Sequence, residues 1–280
     1  MNVIIDSGST KSKWVLFDSE IKETISISGL NPYYQTSEEI HLQIKKELEA
    51  AFQSMPAISS ISFYGAGCEE ESSKEVIKKG LRKTFPNAEI IVEHDLLAAA
   101  RSLLGNTEGI ACIAGTGSNS CYFDGKTIIR NIYSPGLALG DEGSGGYLGK
   151  LLVLQYIREN LPLHLKKSFE EFTSDRTPQI LEKVYKMPFP NRYLASFALF
   201  VIQNQKDPYL YKLAYKNFAD FFDNCILPYE NAHKLSVCFI GSVAYHLSDI
   251  LKTVAHDKKI NLDKIESDPM KGLIHYHFAK

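Results

Sequence analysis

Short apolar runs rich in β-branched residues alternate with glycine-rich turns and helix-period stretches along the whole chain. Val3-Ile-Ile5 predicts a buried strand over 2–6, Lys13 to Phe17 a second strand and Thr24 to Ser28 a third, with an antiparallel hairpin at the start. Ile40, Ile44, Leu48 and Phe52 keep helical spacing along one face. Ser37-Glu-Glu-Ile40 resembles a capping box in which the Ser37 hydroxyl receives the Ile40 N–H. Ser60 to Tyr64 reads as strand, Ser72 to Thr84 as helix, Glu89 to Val92 as strand and Asp95 to Leu104 as helix.

Near Gly105-Asn-Thr107 the pattern restarts, with strands at 110–114, 119–123 and 127–132. Asp124-Gly125 between alternating runs marks a hairpin. A helical stretch over about 143–227 is interrupted at Met187-Pro-Phe-Pro190. Strand 236–240, helix 243–255, a short strand near 258–262 and a helix after Pro269 complete the chain. Two βββαβαβα-like halves, the second carrying an insertion, suggest duplicated domains of α/β class.

Composition changes little in this picture. At 280 residues, 44% apolar and 23% charged, the chain has room for two modest domains. A net charge of -2 gives no electrostatic reason to expect nucleic acid or an acidic membrane. The apolar runs are strand-sized, and the N-terminus lacks a signal-peptide pattern. Five scattered cysteines form no C-x-x-C pair, and Cys112 and Cys238 fall inside strand patterns as core residues. A reduced, cytoplasmic protein is the expectation.

Chemistry concentrates in the turns. Asp6-Ser-Gly-Ser-Thr-Lys11 puts a carboxylate beside a turn of amides, hydroxyls and an ammonium. The amides of Gly8, Ser9, Thr10 and Lys11 suit a phosphate there, and Asp6 suits Mg²⁺, directly or through water. Gly115-Thr-Gly-Ser118 is a second such hairpin, with Thr116 able to donate to a β- or γ-phosphate. No G-x-x-x-x-G-K-[ST] or early G-x-G-x-x-G is present. Asp95, beside His94, opens an apolar helix at a strand end, as either a dipole-stabilised carboxylate or a general base. Gly140-Asp-Glu-Gly-Ser-Gly-Gly146 sets two carboxylates among glycines, which suits either a helix-entry turn or close approach of a polyhydroxy ligand to Asp141. Gly241-Ser242 joins a buried strand to a helix, where a base or ribose can pack. Asn31 and Gly65-Ala-Gly67 follow strands and read equally as turn residues.

Taken together, these motifs resemble the sugar kinase/Hsp70/actin superfamily of duplicated ATPase domains. Within it they are most similar to the N-acetylglucosamine kinase branch, grouped with the activator ATPases of benzoyl-CoA reductase and 2-hydroxyacyl-CoA dehydratase. The resemblance rests on Asp6-x-Gly-Ser-Thr-Lys11, Asn31, Asp95, Gly115-Thr-Gly-Ser-Asn119, Gly140-Asp-Glu-Gly-Ser144 and Gly241-Ser-Val243, in the family's order. It implies two ribonuclease-H-like (actin-like ATPase) domains, each a mixed five-stranded sheet with helices, and a cleft between them. The expected boundaries are 1–106, with helix 269–280 packing back onto it, and 107–268 with the insertion.

The same resemblance implies ATP and Mg²⁺, with phosphates on Gly8 to Lys11 and Gly115 to Ser118, adenosine at Gly241-Ser242 and Mg²⁺ at Asp6. Asp95 is then the base for a sugar 6-hydroxyl, with Asn31, Asp141 and Gly67 as ligands to an amino sugar such as N-acetylglucosamine. A homodimer is compatible with the family. The tryptophan that animal members carry before Gly-Asp-Glu-Gly-Ser is replaced by Ser134-Pro-Gly-Leu-Ala-Leu139, which leaves the choice of sugar open. The zinc motif of the repressor-type hexokinases is missing. An iron–sulfur activator ATPase and a non-catalytic sugar sensor are the alternatives, the first disfavoured by the scattered cysteines.

Overall fold

The computed structural model describes residues 1–8, 11–52 and 57–278, with side chains at all of these except 49–52. The chain divides into two compact units, Met1–Gly105 with Pro269–Lys280, and Asn106–Asp268.

The first unit holds β1 (Asn2–Ser7), β2 (Lys11–Phe17), β3 (Ile21–Ser28), α1 (Ser37–Phe52), β4 (Ser60–Gly65), α2 (Glu71–Thr84), β5 (Glu89–His94), α3 (Asp95–Leu104) and the last helix, α12 (Met270–Phe278). Its sheet runs β3-β2-β1-β4-β5, antiparallel among the first three strands and parallel from β1 through β5. Period-two alternation sends Val3, Ile5, Trp14 and Phe63 to one face, against Ile40, Ile44, Ile77 and Leu81 of α1 and α2. Ile4, Val15 and Tyr64 face the other way, against Ala98 of α3 and Met270 and Leu273 of α12. β1 is therefore buried on both sides, which is why its apolar run is continuous rather than alternating.

The α1 cap differs from the sequence expectation by one residue. Thr36, not Ser37, caps the helix: its hydroxyl accepts the Glu39 N–H at 3.3 Å, and the Glu39 carboxylate accepts the Thr36 N–H at 2.8 Å. The Ile40 N–H goes to the Thr36 carbonyl. Two adjacent hydroxyl residues make this register ambiguous in sequence. Ile40, Ile44 and Leu48 are buried as their spacing requires, while the Phe52 side chain lies outside the described residues. Thr36→Ala is expected to destabilise the protein by about 1 kcal/mol and Ser37→Ala by only a few tenths, read by urea unfolding.

The second unit repeats the sheet. β6 (Glu108–Ala114), β7 (Ser118–Asp124) and β8 (Ile128–Ile132) form an antiparallel ribbon, and β9 (Val237–Ile240) and β10 (Leu262–Glu266) add in parallel, in the order β10-β9-β6-β7-β8. Between β8 and β9 the insertion folds as α4 (Gly145–Ile157), α5 (Leu163–Phe172), α6 (Thr177–Lys186), α7 (Pro190–Ser196), α8 (Ala198–Gln203) and α9 (Pro208–Phe221), and α9 runs into a π-helical turn over Phe222–Ile226. Phe221 and Phe222 pack on Phe239 of β9, tying the insertion to the sheet.

After β9 come α10 (Ser242–His246) and α11 (Ser248–Asp257), so the single helix expected over 243–255 is broken at Leu247. The strand expected near 258–262 lies instead at Leu262–Glu266. Ile260 is a buried anchor of the turn before it, and β10 itself is mostly exposed, so its apolar signal is weak. All five cysteines are free and buried, as the core reading of Cys112 and Cys238 requires. No helix among the described residues is long and apolar enough to cross a membrane.

Candidate functional site

In the first unit, the parallel register aligns Ser7 of β1 with Gly65 of β4, and Gly65 with His94 of β5. Asp6, the Gly65-Ala-Gly67 turn and Asp95 therefore emerge at the same carboxyl edge of the sheet's three parallel strands. That edge is where open α/β sheets bind ligands. The loop carrying Asn31 is fastened there by the buried Ser7 hydroxyl, which accepts the Leu30 N–H at 2.9 Å and donates to the Leu30 carbonyl at 3.2 Å. Asn31 is 5% exposed, and its Oδ1 accepts the Tyr33 N–H at 2.9 Å. Gly67 lies against that same Oδ1 and the Tyr33 ring.

Three expected acceptor ligands of this unit, Asn31, Gly67 and Asp95, thus gather at one edge. Tyr33, 60% exposed beside them, was not singled out from sequence, where it reads as an ordinary loop aromatic.

Asp95 opens α3. Burial pushes its carboxyl up to about 6, aided by the charge of Glu69, while hydrogen bonds from the Leu96 and Asp95 amides act in the other direction. Asp95 thereby sits near the pH at which a carboxylate is an effective proton acceptor. Burial, with Lys74 and Arg101, pulls the neighbouring His94 imidazole down to about 4, so it is neutral at physiological pH.

The first glycine hairpin closes with the Gly8 N–H on the Lys11 carbonyl at 3.0 Å, and both residues are exposed. Ser9 and Thr10, the other two expected phosphate contacts, lie outside the described residues.

In the second unit, three expected motifs converge. The hairpin Gly115-Thr-Gly117 joins β6 to β7, closed by the Gly115 N–H on the Gly117 carbonyl at 3.0 Å. The first amides of α4 bind its carbonyls from behind: Gly145 N–H to Gly115 O at 2.8 Å and Gly146 N–H to Thr116 O at 3.0 Å. With those carbonyls held, the Thr116 and Gly117 amides donate to no acceptor among the described residues. The Ser118 hydroxyl is buried and likewise has no partner among the described residues. Two open amides and an orphaned hydroxyl on one hairpin are suited to a phosphate group.

Asp141 belongs to the same cluster. The Ser134 hydroxyl donates to its carboxylate at 2.8 Å, and the Ser118 backbone amide also favours its charged form. Burial outweighs both and raises its pKa. Asp141 is 8% exposed and held at φ +63°, a costly backbone conformation that its surroundings must enforce. Some of the glycines around it serve the protein rather than a ligand, since a Cβ at Gly145 or Gly146 would crowd the hairpin carbonyls of Gly115 and Thr116. Gly241, at φ +124°, lies directly on the Ala114 carbonyl, and Ser242 starts α10 beside it.

Sequence reasoning missed the residues that hold this turn. Asn217 of α9 accepts the Gly143 N–H at 3.0 Å, and Asn224 of the π-helical turn donates to the Glu142 carboxylate at 3.1 Å. The available signal was Asn217 itself, one polar position on the buried face formed by Leu210, Ala214, Phe218 and Phe221.

No protein-family model matches the chain, and no curated protein sequence matches it. Among solved structures, it is similar over 100% of its length to a Porphyromonas gingivalis protein assigned provisionally as an N-acetylglucosamine kinase. That likeness has 39% identity and a TM-score of 0.96, and covers 99% of that chain. A Chromobacterium violaceum protein with the same provisional assignment shares 18% identity over 98% of each chain, with a TM-score of 0.71. A ROK-family glucokinase from Streptomyces griseus, solved with glucose and AMPPNP, shares 15% identity over 98% of this chain and 97% of its own, with a TM-score of 0.57. The last two likenesses show the fold. The first shows more.

Proposed function

Because the chain belongs to the N-acetylglucosamine kinase-like family of sugar kinases, we propose that it transfers the γ-phosphoryl group of ATP to the 6-hydroxyl of an amino sugar. N-acetylglucosamine is the acceptor to test first. The observation that carries this reading is Asp95: a carboxyl at the sheet's carboxyl edge, grouped with Asn31 and Gly67 and pushed up to about 6.

In the reaction, Asp95 takes the proton of the 6-hydroxyl as its oxygen attacks the γ-phosphorus. The bond to the β,γ-bridging oxygen breaks, and ADP leaves. Asn31, Gly67 and Asp141 orient the sugar. The open Thr116 and Gly117 amides and the Ser118 hydroxyl, with Gly115 and with Gly8, Ser9, Thr10 and Lys11, hold phosphate oxygens, and Gly241 and Ser242 support the adenosine. Positioning and charge neutralisation account for most of the acceleration in such transfers. Asp6 fits a Mg²⁺ site, since this ion keeps several waters and takes one or two carboxylates beside substrate phosphates. Bound there, Mg²⁺ would supply charge neutralisation on the phosphoryl oxygens.

The iron–sulfur activator reading draws no support from five buried cysteines, each with its thiol unpaired.

The base assignment fixes a pH profile. Asp95 acts only when ionised, so kcat/KM for the sugar falls tenfold per pH unit below about 6. A profile flat down to pH 4.5 would remove Asp95 as the base. The function itself is tested by ATP consumption against N-acetylglucosamine, glucosamine, N-acetylmannosamine and N-acetylmuramic acid. At least one is expected to raise turnover by about a hundredfold or more over ATP alone. Equal turnover with and without every sugar would refute the kinase reading.

A further inference from the structure

Asn217 is fully buried on α9, yet only half of its amide is used. Its Oδ1 accepts the Gly143 N–H at 3.0 Å, while Nδ2 has no partner among the described residues. An unpaired buried N–H₂ costs free energy, and an apolar residue of similar volume would avoid that cost. Such a residue would, however, leave the buried Gly143 N–H without its acceptor. The turn that Asn217 touches offers an explanation.

Gly143 is two residues beyond Asp141, inside a turn closed by the Ser144 N–H on the Asp141 carbonyl at 3.1 Å. Asp141 stands at φ +63°, a conformation costly for a residue with a Cβ, and Gly143, two positions on, takes φ +81°, which glycine adopts freely. Such geometry persists only where surrounding contacts over-determine it. Several of those contacts come from one face of α9 and its π-helical extension. Asn217 holds Gly143, the Phe221 ring packs under Gly143, Asn224 holds Glu142, and Asp220 accepts the Tyr147 hydroxyl at 2.8 Å. The extension is tied to the sheet as well, since the Ser120 hydroxyl of β7 donates to the Cys225 carbonyl at 2.8 Å.

We propose that Asn217 is a positioning residue, through which the helical insertion sets the Asp141 carboxylate for the acceptor sugar. The inference rests on the kinase reading for its functional half, because it takes Asp141 as a sugar ligand. Its structural half stands alone. Asn217 acts through the Gly143 amide and touches no substrate.

The test uses the full chain and three variants. Asn217→Leu removes the orphaned donor but also the acceptor of the buried Gly143 N–H, so its melting temperature should fall by about 2–6 °C while the enzyme stays folded. Its KM for the acceptor sugar should rise about tenfold, with KM for ATP within about twofold. The Gly143 amide should exchange with deuterium about tenfold faster or more, while the β6 and β9 amides keep their protection. In Asn217→Asp the buried carboxyl stays protonated and keeps the accepting oxygen, so it should restore the sugar KM to within about threefold of wild type. Asn224→Ala, at an exposed position, covers the possibility that Asn217→Leu fails to fold. It should raise the same KM about twofold to threefold.

An unchanged sugar KM in a folded Asn217→Leu enzyme would overturn the proposal and leave the kinase reading intact. Unchanged Gly143 exchange would overturn it whether or not any sugar turns over. If the wild type phosphorylates no sugar, the kinase reading fails separately, and faster Gly143 exchange still supports Asn217 as the holder of the turn.

Discussion

Asp95→Asn is expected to abolish sugar phosphorylation while making the protein more stable at neutral pH. The two effects share one cause. Burial lifts the Asp95 carboxyl from 3.8 to about 6, so at pH 7 the native state carries a charge that its surroundings disfavour. Between these values the folded protein binds more protons than the unfolded chain, and stability declines as pH rises from about 4 to about 6. The shift corresponds to about 3 kcal/mol at pH 7 as an upper bound.

Asparagine keeps the shape, relieves that cost and cannot accept the proton. The variant should therefore lose about 10²- to 10⁴-fold in kcat. It should gain about 1–3 kcal/mol in urea unfolding at pH 7, with the gain gone below pH 4. Nucleotide affinity should change little. A variant that is inactive but less stable at pH 7 would mean that Asp95 is a structural anchor. Retention of kinase activity would remove it from the mechanism altogether.

Gly149→Ala sets two effects against each other, and the larger is expected to be destabilising. Helix propensity favours alanine over glycine by about 1 kcal/mol in a helix interior. Here, however, a Cβ would overlap the backbone carbonyl of Leu194, where α7 crosses α4. Backbone cannot rotate aside as a side chain would, so α7 must move away from α4. Overpacking of this kind costs about 1–3 kcal/mol, and more against a rigid partner.

The net loss should be about 2 kcal/mol, lowering the melting temperature by about 4–8 °C at the sensitivity of a unit this size. Because the first amides of α4 hold the Gly115 and Thr116 carbonyls, KM for ATP should rise as well. A raised melting temperature, as propensity alone predicts, would contradict the packing of α7 on α4.

Much of this was legible in sequence because single side chains carried the signal. Val3-Ile-Ile5, Ile110 to Ala114 and Val237 to Ile240 read as buried strands and are buried strands. Asp95 could be placed at a strand-to-helix junction, and α3 begins at that residue. What could not be read depends on distant backbone. Spacing did not reveal that the Asp141 carboxylate would lie against the hairpin at Gly117, since the two meet only once α4 docks behind it. The dense glycines of the Gly140–Gly146 segment suggested ligand approach, whereas some of them accommodate neighbouring backbone and the Phe221 ring. The π-helical turn at Phe222–Ile226 has no sequence signature, and without it the link from Asn224 to Glu142 is invisible.

The central claim is a phosphoryl transfer to the 6-hydroxyl of an amino sugar, and the product tests it most directly. Wild-type protein, ATP, Mg²⁺ and N-acetylglucosamine would be incubated and followed by proton-correlated phosphorus NMR. The account predicts a phosphomonoester coupled to the two C6 protons, formed in step with ADP and lost in Asp95→Asn. Release of inorganic phosphate alone, with no phosphorylated sugar from this or any other amino sugar tried, would contradict it.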